Sequence, residues 1–170
     1  LTTSTDTPID TTYTYFASKR GSGYTTTKLK SETINGEKYE YKYDAHSNIT
    51  DVTKDGVLQY HYGYDMMNQL VSVDDKLNGK VYNYTYDAGG NLISETVTDS
   101  NGTTSNAYEY NNSNWGDVLT SYNGQNITYD EIGNPLTYRD GMSMTWKNGR
   151  QLATLTNSDT SISYGYDSGS

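Results

Sequence analysis

The feature that most constrains this chain is a series of Asn-Gly or Asp-Gly pairs, each lying between stretches of alternating polar and apolar residues. Six such pairs lie at matching positions: Asn35-Gly36, Asp55-Gly56, Asn78-Gly79, Asn101-Gly102, Asn123-Gly124 and Asp140-Gly141. Type I′ turns need positive φ at both central residues, which Asn, Asp and Gly tolerate, so each pair predicts a tight β-hairpin. The sequence therefore predicts an all-β fold of tandem hairpins.

Each predicted hairpin joins two strands of alternating residues, and no segment shows a helical period. The predicted strand pairs are 29–34 with 37–43, 49–54 with 57–64, 70–77 with 80–86, 92–99 with 103–110, 118–122 with 125–129, 136–139 with 142–146, and 152–157 with 160–166. A further strand is predicted at Tyr13 to Phe16. Residues 1–12, rich in Thr, Ser and Asp, are predicted to form a flexible lead-in, which leaves 13–170 as the hairpin array.

A second kind of turn connects one hairpin to the next. It begins with a Tyr-Asp pair and ends at an apolar residue, as in the stretch from Tyr86-Asp87 to Leu92. The copies are Tyr43-Asp44, Tyr64-Asp65, Tyr86-Asp87, Tyr129-Asp130 and Tyr166-Asp167, with degenerate copies at Tyr110-Asn111 and Trp146-Lys147. They recur at intervals of 17 to 24 residues. A period near that of two strands and two turns predicts a repeat array, in which each unit packs on its neighbours.

The aspartates of these pairs have two interpretations. In the first, they are turn residues whose carboxylates accept backbone N–H bonds two positions on. In the second, they form a row that binds Ca²⁺, which prefers oxygen ligands. The spacing favours the turn, because one copy falls in each repeat. The predicted turn residues are Asp44, Asp65, Asp87, Gly90, Asp130 and Gly133.

Tyrosine is the main source of apolar surface in this chain. Hydrophobic residues make up 32% and aromatic residues 13%, yet there are 19 tyrosines. Rows of rings on adjacent strands could form a cross-strand ladder that substitutes for a core. The alternative is a row of platforms that stack against sugar rings or a protein partner. Its candidate residues are Tyr60, Tyr62, Tyr82, Tyr84, Trp115 and Trp146.

Composition argues against several classes of function. The net charge of −9 disfavours nucleic acid and anionic membranes as partners. There is no cysteine and no apolar run long enough for membrane insertion. His46 and His61 are too few for a histidine metal site, and Asp167-Ser168-Gly169 lacks the second copy that aspartic-protease chemistry needs. We therefore expect no catalytic residue, no metal and no cofactor.

The Tyr-Asp units carry a family resemblance. Tyr86-Asp87-Ala88-Gly89, the unit at 129–133 and the run from Trp115 to Arg150 resemble the Rhs/YD-repeat family, with the last run similar to Gram-positive members. The resemblance implies a twisted strip of hairpins spiralling into a hollow shell. In bacterial members the shell encloses a C-terminal toxin, and in animal teneurins it belongs to an adhesion receptor.

The resemblance implies a structural role. We expect a non-catalytic segment of a secreted or surface-displayed bacterial protein, whose partners are the rest of the parent shell and its C-terminal domain. The alternative is an extracellular module that binds a cell-surface glycan or a protein through exposed Tyr and Trp rows. Both chain ends look cut from a longer protein. Exposed sheet edges are templates for pairing, so self-association is also expected.

Overall fold

A computed structural model describes residues 9–18 and 24–167, and within these ranges it contains fourteen β-strands and no helix. The strands are β1 Thr11–Ala17, β2 Thr25–Ile34, β3 Glu37–Tyr43, β4 Ile49–Lys54, β5 Val57–Tyr64, β6 Leu70–Asp75, β7 Lys80–Tyr86, β8 Leu92–Asp99, β9 Gly102–Glu109, β10 Ser121–Tyr122, β11 Gln125–Asn126, β12 Ser143–Lys147, β13 Gln151–Thr156 and β14 Ser161–Ser163. The first eleven strands form one sheet in chain order, and the last three form another. The predicted all-β fold of tandem antiparallel hairpins is confirmed.

The tight turns follow the dipeptide pattern. Both central residues have positive φ at Asn35-Gly36, Asp55-Gly56, Asn123-Gly124 and Asp140-Gly141, as type I′ turns require. The same geometry occurs at Asn148-Gly149, with φ of 48° and 83°, and this turn joins β12 to β13. The hairpin at this position was not predicted.

Two predicted turns have a different form. Strand β6 ends at Asp75, two residues before the predicted end, and a longer turn through residues 76–79 leads to β7. The cause is the Asp75 carboxylate, which accepts hydrogen bonds from the backbone N and the Nδ2 of Asn78, at 2.9 and 2.8 Å. The next hairpin turns at residues 100–101, and Gly102 opens β9 rather than completing the turn.

The prediction of a strand at 136–139 is wrong. This segment contributes only an isolated bridge between Thr137 and Ser143. Pro135 has no N–H to donate, and the N–H groups of Leu136 and Thr137 both point to the carbonyl of Thr128. A regular ladder needs one partner carbonyl for each donor. Strand β12 forms its regular ladder with β13, and the predicted strands at 118–122, 125–129 and 160–166 shrink to β10, β11 and β14.

Contacts divide the chain into two compact units. Unit 1 comprises Leu1–Tyr84 with Thr96–Thr104, and unit 2 comprises Thr85–Glu95 with Ser105–Ser170. Residues 1–8 and 19–23, and Ser168 and Gly169 of the protease-like motif, lie outside the described residues. Strand β1 begins at Thr11, inside the predicted lead-in.

The strands of unit 1 have two chemically distinct faces. One face carries the tyrosines, whose register places Tyr41, Val52 and Tyr60 opposite one another. The other face carries a charged row in which Asp51 lies 3.9 Å from Lys42 Nζ and 2.9 Å from His61 Nδ1. In strand β7 the tyrosines are half-buried, and the alternate residues are exposed. On the tyrosine face, side chains of neighbouring strands thus pack against one another and shield each other from water.

Little of the described chain is deeply buried. Ile127, which is 4% exposed, is the single buried hydrophobic side chain among residues 9–18 and 24–167. A sandwich would bury an entire face of each sheet. Here the cross-strand pairs replace a core, each contributing about 0.2–1 kcal/mol.

Candidate functional site

The turns that begin with Tyr-Asp share one geometry, and we call the segments 44–48, 65–69, 87–91 and 130–134 the joints. In the third joint, Asp87 Oδ1 accepts hydrogen bonds from the backbone N of Gly89 at 2.8 Å and of Asn91 at 2.9 Å. Its Oδ2 accepts Asn91 Nδ2 at 2.9 Å. The backbone closes the same loop, because the N of Asp87 donates to Asn91 O at 2.9 Å.

The other joints repeat these contacts. Asp44 accepts the backbone N of His46 and Asn48, and Asp130 accepts those of Ile132 and Asn134, all within 3.1 Å. Asp65 accepts Met67 N and Gln69 N at 2.8 and 2.9 Å. The fourth residue of each joint has positive φ, and these residues are Ser47, Asn68, Gly90 and Gly133. The structure thus places every predicted turn residue in a joint.

The joint carboxylates are engaged by the protein itself. The hydrogen bond from Asn91 Nδ2, with backbone N–H groups, holds the pKa of Asp87 below its usual value. At Asp44 and Asp130, desolvation raises the pKa but hydrogen bonds outweigh it, so the pKa of each is also lowered. At Asp44, Asp87 and Asp130, three of roughly four acceptor positions are occupied. In the described ranges, no group of three or more acidic or histidine residues is placed to hold a metal ion.

The tyrosine of four Tyr-Asp pairs closes the base of its hairpin, a role that was not predicted from the sequence. The hydroxyl of Tyr43 donates to Leu29 O at 2.8 Å, and that of Tyr64 to Ile49 O at 2.9 Å. Tyr129 and Tyr166 make the same bond to Leu119 O and Leu152 O. Burial raises the pKa of Tyr43, Tyr64 and Tyr129. The sequence feature from which this role could have been predicted is the apolar residue at the start of each predicted hairpin.

The asparagine that ends three of the joints links one repeat to the next. Asn48 Nδ2 donates to Asn68 Oδ1 in the following joint at 2.9 Å. Asn91 Nδ2 donates to Gly116 O at 3.1 Å, and Asn134 Nδ2 donates to Gly149 O at 2.7 Å. Asn134 is only 3% exposed. The amide therefore holds its own turn closed and contacts the next turn along the strip.

The tight turns make an equivalent link at the opposite ends of the strands. Asp55 Oδ1 accepts the backbone N of Lys38 at 2.9 Å, while the N of Asp55 donates to Lys38 O at 2.7 Å. Asn123 forms the same reciprocal pair with Ala107, at 2.7 and 2.9 Å. Asn35 pairs likewise with Asp10. These three tight turns therefore link their hairpins to the preceding strand at this end of the sheet.

The four candidate tyrosines lie on strands of unit 1. The rings of Tyr60 and Tyr62 lie 6.0 Å apart at 18° to each other, and both are half-buried. Burial raises the pKa of Tyr62. Tyr82 and Tyr84 lie on β7 and are also half-buried. Each of these rings already packs within the tyrosine face.

The two tryptophans lie in unit 2 and differ in exposure. Trp146 is half-buried on β12, and its Nε1 donates to Pro135 O at 2.7 Å. Trp115 is 47% exposed, and its ring covers Gly133 so closely that an added Cβ would lie 3.0 Å from Cζ3. Trp115 is therefore the most accessible of the six aromatic candidates.

The two histidines take part in ordinary local structure. The backbone N of His46 donates to Asp44, and His61 on β5 lies beside Asp51 on β4.

Where the chain is described, no helix is long and apolar enough to cross a membrane. Asp167 is described, but the remainder of its protease-like motif is not.

Comparison with known proteins agrees with this geometry. The family model for the RHS repeat matches residues 64–104. That span begins at Tyr64-Asp65 and contains the whole joint at 87–91. Residues 64–104 are thus similar to an RHS repeat. The Rhs/YD resemblance is thereby confirmed, and similarity to Gram-positive members stays a prediction.

Solved structures have a similar fold. The chain is similar to a chain in the crystal structure of TcdB2-TccC3-Cdc42, with 17% identity and a TM-score of 0.64 over 95% of this chain. It is also similar to a chain of TcdB2-TccC3, with 16% identity and a TM-score of 0.60 over 86%. In each case it spans 9% of the longer chain. No curated protein matches the sequence.

Proposed function

We propose that this Rhs/YD segment is a non-catalytic part of the wall of a hollow shell, in a secreted or surface-displayed bacterial protein, which encloses a C-terminal toxin domain. The observation that carries the proposal is a sheet with almost no buried core, in which hydrogen bonds at the strand ends link neighbouring hairpins. One hydrophobic side chain is buried in the described ranges, so the strip is stabilised by lateral contacts between repeats. The joints connect successive hairpins of the shell wall, and their aspartates act as turn residues.

The links at both strand ends support continuation into further repeats. Asn48 contacts the following joint, and Asp55 contacts the preceding hairpin. A hairpin in such a strip has a neighbour on each side. The partners that we propose are accordingly the remainder of the parent shell and the domain that it encloses.

Limited proteolysis of the full-length parent tests this proposal. The C-terminal domain should resist protease in the parent and become cleavable when Asp87→Ala opens a joint, because that change removes three hydrogen bonds. Glu131→Ala is the matched control, since this exposed joint residue has no side-chain hydrogen bond among the described residues. If the C-terminal domain is cleaved as fast within the parent as alone, the enclosure is refuted.

A second candidate function is binding of a cell-surface glycan or a protein through exposed aromatic residues. Trp115 favours it, because a 47% exposed tryptophan provides a stacking surface. Glycan-array binding that Trp115→Ala abolishes would support this function. Binding that survives Trp115→Ala would contradict it.

Self-association through sheet edges is also part of the proposal. Among the described strands, β1 pairs only with β2 and β14 only with β13, so each has an outer edge that accepts a strand. Light scattering should show species larger than the monomer at high concentration. A monodisperse monomer throughout would contradict edge pairing.

A further inference from the structure

The chain contains five Asn-Gly pairs, and the structure holds their asparagines in unequal ways. The pairs are Asn35-Gly36, Asn78-Gly79, Asn101-Gly102, Asn123-Gly124 and Asn148-Gly149. Asparagine is a thermolabile residue, and a following glycine makes it more so, because glycine has no side chain to keep its backbone N away from the asparagine Cγ. The backbone conformation and the hydrogen bonds of each asparagine therefore decide which pair reacts.

Three of the pairs are held in type I′ turns. Asn35, Asn123 and Asn148 have φ of 50°, 49° and 48°. Attack of the glycine N on Cγ requires rotation about the Cα–C bond of asparagine, and a type I′ turn opposes that rotation because it fixes both dihedral angles of its central residues. The side-chain amide of each is also hydrogen-bonded, at donor–acceptor distances of 3.1, 2.7 and 3.0 Å respectively. These three asparagines are thus doubly restrained.

The other two asparagines do not have positive φ, and they differ in one contact. Asn78 Nδ2 donates to Asp75 Oδ2 at 2.8 Å, so its amide is held inside the turn. Asn101 donates its backbone N to Asp99 Oδ1 at 2.7 Å, but its side chain has no hydrogen-bond partner among the described residues. Asn101 is exposed, and nothing beyond its chain neighbours lies within 4 Å of a Cβ added at Gly102. The Asn101 side chain is therefore free to turn toward the next backbone N.

We propose that Asn101 is a site of spontaneous deamidation, with water as the co-reactant. Hydroxide removes the proton of the Gly102 N, and this N forms a bond to Asn101 Cγ. The Cγ–Nδ2 bond then breaks, and the amide nitrogen takes up a proton from water and leaves as ammonia. Water opens the resulting succinimide at either carbonyl, which gives aspartate or isoaspartate at position 101 without any oxidant or reductant.

The products alter the turn between β8 and β9. Either product places a new carboxylate beside Asp99, and like charges at short range repel each other. Isoaspartate also adds one CH2 group to the main chain between Thr98 and Thr103, whose hydroxyls lie 2.8 Å apart across the two strands. Because turn length and strand register are linked, we expect the modified hairpin to be less stable.

Incubation of the folded 170-residue chain at mildly alkaline pH, followed by peptide mapping with mass spectrometry, tests the proposal. Asn101 should be modified at least about fivefold faster than each of the other four asparagines, the rate ratio that one hydrogen bond of ordinary strength gives. Isoaspartyl methyltransferase with labelled S-adenosylmethionine detects the isoaspartate product. In urea, where the turns are lost, the five rates should converge. Equal rates in the folded chain would overturn the proposal, as would a preference for Asn101 that persists unchanged in urea.

Variants separate the hydrogen bond from the rest of the turn. Asp75→Ala releases the amide of Asn78, so Asn78 should then be modified at a rate approaching that of Asn101. Asn101→Gln is the control, because the longer side chain closes its ring far more slowly and the rapid product should disappear. The urea midpoint should fall on ageing in the wild-type chain and remain constant in the Asn101→Gln chain. An unchanged rate at Asn78, or an equal fall in both midpoints, would contradict these assignments, and the comparison within the wild-type chain holds even if Asp75→Ala is poorly folded.

Discussion

Gly133→Ala tests whether the contact between Trp115 and the fourth joint contributes to stability. Gly133 has a φ of 85°, where an L-residue is disfavoured by about 1–2 kcal/mol. Its added Cβ would also lie 3.0 Å from Trp115 Cζ3 and 3.2 Å from Cη2. Since Trp115 is 47% exposed, its ring can move away, and we expect this displacement to add about 1 kcal/mol.

Gly149→Ala is the matched control for backbone strain. Gly149 has a φ of 83°, and nothing lies within 4 Å of its added Cβ. We therefore expect Gly149→Ala to lower the free energy of unfolding by about 1–2 kcal/mol and Gly133→Ala by about 2–3 kcal/mol. Urea unfolding monitored by tryptophan fluorescence measures both values.

A double-mutant cycle isolates the contact itself. In a Trp115→Ala background, the added methyl at 133 meets no ring, so Gly133→Ala and Gly149→Ala should cost the same. Equal costs already in the wild-type background would refute the steric argument. A difference that persists without Trp115 would also refute it.

Three further predictions concern the hydrogen bonds of the repeat. Tyr64→Phe should lower the free energy of unfolding by about 0.5–1.5 kcal/mol, because it removes the hydrogen bond to Ile49 O. Tyr82→Phe is the control: the Tyr82 hydroxyl has no partner in the described residues, so this change should alter urea unfolding little. Asn134→Ala should cost about 1–3 kcal/mol in the same assay, since it leaves Gly149 O without this donor; no loss would show that the link between turns is not stabilising. The lowered pKa of Asp87 predicts a contribution to stability that is present above about pH 4 and is lost as the pH falls through the folded-state pKa. The raised pKa of Tyr43 predicts a contribution to stability that is lost as the pH rises above about 10. Urea midpoints that are flat across both pH ranges would contradict these predictions.

The type I′ turns could be predicted because their requirement is local. Positive φ at two successive residues depends on the residues themselves, and Asn or Asp followed by Gly tolerates it. The joints were recognisable for a similar reason, since Asp87 binds N–H groups only two and four residues away. The tyrosine rows followed from alternation, which places every second residue of a strand on one face.

The partners of longer-range hydrogen bonds could not be predicted in the same way. Leu136–Arg139 alternates as a strand does, yet its first two N–H groups share the carbonyl of Thr128. The role of the Tyr64 hydroxyl depends on a carbonyl fifteen residues earlier, at Ile49. These contacts depend on which segments the fold brings side by side.

The sequence by itself determined the repeat, its turns and its two-faced strands, because these depend on φ preferences and on alternation within a few residues. The tertiary structure alone decided how the repeats are fastened. Asn48 reaches the next joint, and Asp55 reaches the preceding hairpin. Such contacts depend on which strands lie side by side and in which register, and that is settled by the packing of the whole sheet.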